Sequence, residues 1–157
     1  MAIFLLSGPI RSGKTTRLLN WAKTRSDVGG ILTPDQNELR VLIDISLNEQ
    51  FTFQVTEKYE NTIPIGRFYF SSDAFQTGRN IIARERRSTK NWLVIDEVGP
   101  LELQGQGFEP EISNTIDFFK KQNPAKNLLL VVRQNLLDEA LRHYKIDKFQ
   151  LFEFPTP

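Results

Sequence analysis

Eight residues near the start of the chain, Gly8-Pro9-Ile10-Arg11-Ser12-Gly13-Lys14-Thr15, restrict the possible folds more than any other stretch. An apolar run, Ile3-Phe4-Leu5-Leu6, precedes them, and Thr16-Arg17-Leu18-Leu19 continues them as a helix. Strand, glycine-bounded loop and helix in that order form a phosphate-binding unit. Gly8 and Gly13 let the backbone curl so that successive N–H groups point at phosphate oxygens. The start of the helix adds about half a positive charge at the same place. The candidate nucleotide-binding segment is therefore Gly8, Pro9, Ile10, Arg11, Ser12, Gly13, Lys14, Thr15 and Thr16. Lys14 is expected to neutralise the β- and γ-phosphates, and Thr15 to set its hydroxyl on Mg²⁺. The bland alternative is a glycine turn without a ligand, and the strand–loop–helix order argues against it.

Beyond this unit the pattern alternates between the two element types. Ala2–Ser7 reads as the first strand and Lys14–Arg25 as the first helix, with Leu18, Leu19 and Ala22 at core spacing. Val28–Thr33, Leu39–Ile45 and Phe51–Thr56 are short apolar runs between polar turns, the pattern of an antiparallel meander. Ile65–Phe70 is a further strand, and Ser71-Ser72-Asp73 offers N-caps for a helix over Ala74–Arg87. Trp92–Ile95 and Leu128–Val132 are continuous apolar runs, as in strands covered on both faces. Helices are expected near Pro110–Lys121 and over Leu136–His143, and a last strand over Phe149–Phe154. This order predicts one α/β domain over residues 1–157. Its sheet should be mostly parallel, with helices on both faces and an antiparallel extension after the first helix. Ligands of such sheets bind beyond the carboxyl ends of the strands.

A second motif falls at that same edge. Leu93-Val94-Ile95 runs into Asp96-Glu97. Beside a phosphate loop, Asp96 is positioned to reach the Mg²⁺ sphere, and Glu97 to orient and deprotonate an attacking water. Gly99-Pro100 then marks a turn. It leaves Glu102 either near the same metal or as a surface acid. Several arginines stay open in the same way. Arg79, Arg84, Arg86 and Arg87, with Lys90, suit a solvated helix end, where cations match the dipole, or could send one guanidinium to a γ-phosphate. Arg11 faces solvent or nucleotide. Arg133, directly after a buried strand, is a phosphate or water sensor or an ordinary strand-end residue. His143, the only histidine, reads as a surface or capping residue. The twelve phenylalanines read mainly as core, with Phe68-Tyr69-Phe70 a weaker candidate for bordering a nucleotide base.

Composition excludes other classes. A chain of 157 residues buries a core without staples, and the absence of cysteine removes disulfides and thiolate metal sites. A net charge of +1 provides no electrostatic case for nucleic acid or an anionic membrane as the main partner. The short apolar start is expected to be a strand rather than a signal peptide, and no stretch approaches a membrane span. The expected location is the cytoplasm. A protein partner is not indicated.

With these motifs the chain resembles the cancer-related nucleoside triphosphatase family of P-loop proteins. The resemblance rests on Gly8–Thr16, on Val94-Ile95-Asp96-Glu97-Val98-Gly99 with Leu101-Glu102-Leu103, and on Phe108. Gly30-Ile31-Leu32-Thr33 and Ile65-Gly66-Arg67-Phe68-Tyr69-Phe70 leading to Phe75 are weaker echoes. It implies an additional-strand ATPase core and slow Mg²⁺-dependent hydrolysis of ATP, GTP and other nucleoside triphosphates with loose base selectivity. It also implies phosphate and Mg²⁺ binding by Lys14 and Thr15, metal support by Asp96 and water activation by Glu97. The chain differs from the family pattern at Pro34-Asp35, where Glu and Arg are common, at Pro100, where Lys is frequent, and at Arg133, where a small polar residue is usual. The absence of N-K-x-D, and of an L-S-G-G-Q-like segment before Asp96, argues against small GTPases and transporter ATPases.

Three functions are compatible with these residues. The first is a nucleoside triphosphatase with Lys14 and Glu97 as its catalytic groups. The second is a small-molecule kinase on the same core, and the third is a nucleotide-dependent switch that turns over negligibly.

Overall fold

The computed structural model describes residues 2–9 and 13–155 of the chain; Ile10, Arg11 and Ser12 of the candidate loop lie outside the described residues. Strand β1 (Ala2–Gly8) leads to helix α1 (Lys14–Lys23). Strands β2 (Val28–Leu32), β3 (Asp35–Gln36), β4 (Leu39–Asp44), β5 (Glu49–Thr52), β6 (Gln54–Val55), β7 (Thr62–Ile65) and β8 (Phe68–Ser71) follow. Helix α2 (Ser72–Arg86), strand β9 (Trp92–Val98), the short helix α3 (Pro100–Leu103), helix α4 (Glu111–Gln122) and strand β10 (Asn127–Arg133) come next. A 3₁₀ turn (Gln134–Leu136), helix α5 (Leu137–His143) and strand β11 (Gln150–Leu151) complete the order.

Among the described residues, eight strands form one sheet in the order β11-β1-β10-β9-β2-β4-β3, with β5 also paired to β4. β11, β1, β10, β9 and β2 are mutually parallel, whereas β4 runs antiparallel to β2, β3 and β5. The fold is α/β, with a largely parallel sheet and an antiparallel extension. One face packs Leu6, Val94, Leu129 and Val131 against Leu18 and Ala22 of α1. The other packs Leu5, Ile31, Ile95 and Leu130 against α2, α4 and α5 through Ile82, Ile116, Phe119 and Ala140. Each large aliphatic or aromatic side chain buried this way contributes about 1.5–3 kcal/mol relative to exposure. No helix among the described residues is long and apolar enough to cross a membrane.

The expected antiparallel pairing is present between β2, β4 and β5, and the extension differs from a simple meander in detail. β2 is a branch point: one edge pairs in parallel with β9 and the other antiparallel with β4. Period-two alternation cannot reveal this, because both pairings bury the same residues. The Phe51–Thr56 run divides at Phe53 between two sheets, because Gln54 and Val55 pair with β8 in a separate three-stranded sheet of order β6-β8-β7. Ile65–Phe70 is in fact the middle of a hairpin: β7 and β8 meet at Gly66, whose φ of +60° supplies the turn. The last strand is shorter than expected because β11 pairs only at Gln150 and Leu151. Phe152 then turns into the aromatic cluster of Phe4, Trp21 and Trp92, and Phe154 lies under the Arg17 guanidinium at 4.1 Å.

Helix boundaries have local causes. The Ser71 hydroxyl accepts a hydrogen bond from the Ala74 N–H at 3.2 Å and caps α2. The carboxyl end of α2 is tied down by buried polar groups. Arg84 donates to both oxygens of Asp44 on β4 at 2.8 Å, and Ser46 donates to buried Glu85. The Lys126 ammonium donates to the carbonyls of Glu85 at 2.7 Å and Ser88 at 3.0 Å. Where β2 pairs with β9 opposite Val94, Gly30 has a φ of +119°, and a Cβ there would stand 2.0 Å from the Val94 carbonyl oxygen. Only glycine fits.

Candidate active site

The carboxyl ends of four neighbouring strands meet one cavity of about 860 Å³. Its lining follows the sheet in order. Gly13, Lys14, Thr15 and Thr16 stand over β1, Arg133 ends β10, Glu97 and Gly99 lie at the end of β9, and Thr33 follows β2. Arg40, on the antiparallel strand β4, comes next. The two motifs are thus brought to one cavity although β10 lies between their strands. The intervening strand is what the resemblance to an additional-strand core implies.

Gly13 has a φ of +82° and directly precedes Lys14, the first residue of α1. An added Cβ would meet nothing within 4 Å, so this glycine is required by backbone conformation rather than by space. Gly8, expected to curl, instead continues β1 opposite Arg133, so the described part of the loop begins at Pro9. Pro9 and Thr16 are exposed; Lys14 and Thr15 are partly buried.

Asp96 and Glu97 lie inside β9 rather than after it. The β10 register is irregular at these two acids. Val131 stands opposite Asp96, Val132 stands opposite Val98, and Glu97 has no partner in the ladder. This is a bulge, and it changes the alternation. Val94 packs on the α1 face, while Leu93, Ile95 and, past the extra residue, Val98 all pack on the opposite face. Without the irregularity, Val98 would take the Val94 side.

Asp96 is almost wholly buried. Its Oδ2 accepts the Thr33 N–H at 3.1 Å, and the Thr33 hydroxyl donates to the Asp96 carbonyl at 3.1 Å. Burial and then the neighbouring Glu97 charge push its carboxyl up to about 6, against the pull of Thr33, Arg40 and the Thr15 hydroxyl. Glu97 Oε1 accepts from Arg133 Nε at 3.0 Å and faces an Arg40 guanidinium nitrogen at 3.4 Å. Arg133 therefore belongs to the site. Thr33 and Arg40 belong to it too, and neither stands out as a site residue in the sequence. Arg40 arrives through the β3–β4 hairpin, whose turn residues Asn37 and Glu38 both have positive φ, 51° and 69°. That two-residue turn sets the register placing Arg40 across from Asp35.

Glu102 lines the same cavity as Glu97. It is a buried side chain rather than a surface acid, and both oxygens are engaged by backbone: Oε1 accepts from Gly99 N at 2.9 Å and Oε2 from Phe108 N at 3.0 Å. It fastens the segment after β9, and burial, partly offset by these N–H groups, pushes it up to about 7. Three arginines of the run on α2 have protein partners. Arg79 donates to the Gly107 carbonyl at 2.5 Å, Arg84 pairs with Asp44, and Arg86 donates to Glu111 at 3.1 Å and Thr115 at 3.2 Å. Those contacts hold the helix to its neighbours. Arg87 is exposed at the C-cap. His143 is exposed with its ring edge-on to Tyr144. Phe68 lines the cavity while 45% exposed, and Phe70 belongs to the core.

The donor set suits Mg²⁺. It consists of hard oxygens, the Thr15 hydroxyl and the Asp96 carboxylate, in a buried corner where two adjacent carboxylates raise the cost of negative charge. No group of three or more His, Cys, Asp or Glu among the described residues could hold a metal alone. Mg²⁺ does not need one, since it keeps waters and takes substrate phosphates as ligands.

Residues 3–154 match the model of a family described as NTPase. The chain belongs to this family of P-loop NTPases. No curated protein sequence matches it. Among solved structures, its fold is similar to the crystal structure of THEP1 from the hyperthermophile Aquifex aeolicus. The TM-score is 0.72 at 15% sequence identity, covering 96% of this chain and 88% of that one. The family match spans nearly the whole sequence, and the likeness to THEP1 is one of fold.

Proposed function

We propose that this NTPase-family protein hydrolyses nucleoside triphosphates to diphosphate and phosphate in a Mg²⁺-dependent reaction with loose base selectivity. The observation that carries the reading is Glu97: an acid in a strand bulge, in one cavity with Lys14 and Thr15, with Arg133 donating to it at 3.0 Å. The loop amides and the Lys14 ammonium hold the phosphate chain and neutralise charge that develops on its outer oxygens. Thr15 and Asp96 would hold Mg²⁺, which when bound supplies further charge neutralisation. Glu97 orients a water and accepts its proton as the oxygen attacks the γ-phosphorus. Arg133 fixes the direction of the Glu97 carboxylate and keeps positive charge at its side. Thr33 keeps Asp96 turned into the corner.

The test is steady-state phosphate release across common ribo- and deoxynucleoside triphosphates, with and without Mg²⁺, for the natural protein and Glu97→Gln. Turnover should fall by about 100-fold or more in the variant, the scale of a positioned general base. Equal turnover in both proteins would refute the role of Glu97. A lack of release from every triphosphate without an added acceptor would refute hydrolysis.

A further inference from the structure

The cavity continues well past the water-activating position. In the proposed reaction the phosphate chain runs from the loop over β1 towards Glu97 on β9, so the base lies behind the loop and the nucleophile enters from beyond Glu97. Neighbouring strands are about 4.8 Å apart, so crossing β2 to reach β4 adds about 10 Å of floor on the nucleophile's side. A hydrolase needs room there for one water. The walls of this end are mixed: Asp35, Glu38, Arg40 and Gln54 stand beside an apolar part made by Phe53, Ile65, Phe68, Phe70, Leu101 and Phe108. Phe53 packs on Phe70 with ring centroids 4.9 Å apart and on Phe108 at 5.9 Å, so the wall is a fixed aromatic surface. At the mouth, Phe68 is 45% exposed, next to Arg67 over its ring at 5.1 Å. The aromatic part of this wall holds hydrocarbon well, and the polar part leaves room for a hydroxyl-bearing end.

We infer that this end of the cavity binds a second substrate, a primary alcohol with an aromatic or cyclic apolar body, which accepts the γ-phosphoryl group in place of water. The inference rests on the proposed phosphoryl-transfer site and adds the acceptor to it. The body packs against the aromatic wall, and the hydroxyl points to Glu97. The alcohol oxygen forms a bond to the γ-phosphorus. The bond from that phosphorus to the β–γ bridging oxygen breaks, its electron pair leaving on the nucleoside diphosphate, and the hydroxyl proton passes to the Glu97 carboxylate. The products are a phosphate monoester and a diphosphate, so atoms and charge balance without a further reactant. Holding the alcohol raises its effective concentration over water at the same phosphorus.

The experiment incubates the protein with MgATP and benzyl alcohol, cyclohexylmethanol or ethanol at equal concentrations, and resolves monoester from inorganic phosphate by phosphorus NMR. The two cyclic alcohols are expected to give monoester at least about 10-fold more efficiently than ethanol, a difference of about 1.4 kcal/mol. Phe68→Ala, at an exposed position, and Ile65→Glu should each lower the ratio of benzyl phosphate to inorganic phosphate several-fold. Phosphate release with no monoester from any alcohol, or equal yields from ethanol and the cyclic alcohols, would overturn the acceptor site while leaving hydrolysis standing. Neither product from bound ATP would overturn both.

Discussion

Replacing Glu102 with Gln should flatten the pH dependence of unfolding in magnesium-free buffer. Burial pushes the Glu102 carboxyl from its ordinary 4.5 up to about 7, so the native protein keeps a proton that the unfolded chain releases. Stability from this group is therefore complete below about pH 4.5 and is lost as pH rises through about 7. Integrated between about pH 5 and about pH 8, the loss is about 2.5 kcal/mol, at 1.36 kcal/mol per unit of pKa difference. Asp96, pushed up to about 6, contributes a decline of the same sign to both proteins, and this cancels in their difference. Gln can accept from only one of the two backbone donors, Gly99 N or Phe108 N, so the variant also carries a constant penalty of about 1–3 kcal/mol. The diagnostic quantity is consequently the shape of the difference, measured by urea unfolding at closely spaced pH values. The gap between the proteins should narrow towards alkaline pH by about 2 kcal/mol or more. Parallel curves would show that Glu102 titrates alike in both states, and would refute the argument from burial.

Gly30→Ala should destabilise the protein by about 3 kcal/mol, because a Cβ would meet the Val94 carbonyl at 2.0 Å on a backbone of φ +119°; an unchanged urea midpoint would contradict this. Arg84→Ala leaves buried Asp44 without its bidentate partner. Because Arg84 is 42% exposed, solvent screening lowers the expected cost to about 1–3 kcal/mol, with the loss smaller at high salt. Thr33→Val removes one hydrogen bond to the Asp96 carbonyl but keeps the backbone donor to its carboxylate. Thermal unfolding should register about 1 kcal/mol, and a loss several times larger would mean that the hydroxyl does more than this bond.

Element types were readable because each rests on nearby residues. The strand–loop–helix start follows from the order of apolar residues, glycines and Lys14. The α2 cap follows from Ser71, and the buried parallel strands follow from runs such as Leu128–Val132. The pairing partners were not readable. β2 has parallel and antiparallel neighbours, and Phe51–Thr56 serves two sheets, because the same apolar pattern satisfies either arrangement. The arginines on α2 were ambiguous for a related reason. A cation at a helix end suits solvent, a phosphate or a buried carboxylate equally, and only the packing of α2 against β4 and α4 selected Asp44 and Glu111.

For the proposed reaction, the groups involved were already legible in the chain, since Gly13, Lys14, Thr15 and the acids at 96–97 bring their own backbone freedom and charge. The tertiary structure decided how that chemistry is assembled. Strand β10 enters between β1 and β9, a bulge leaves Glu97 unpaired, and Arg133, Thr33 and Arg40 arrive from three other strands. It also lines the same cavity with Phe53, Ile65, Phe68 and Phe70, from around β6–β8, and with Leu101 and Phe108 after β9. The physical reason is range: backbone conformation and charge are encoded within a few residues. Which side chains meet across a sheet is set by packing between segments far apart in the chain, 63 positions in the case of Thr33 and Asp96.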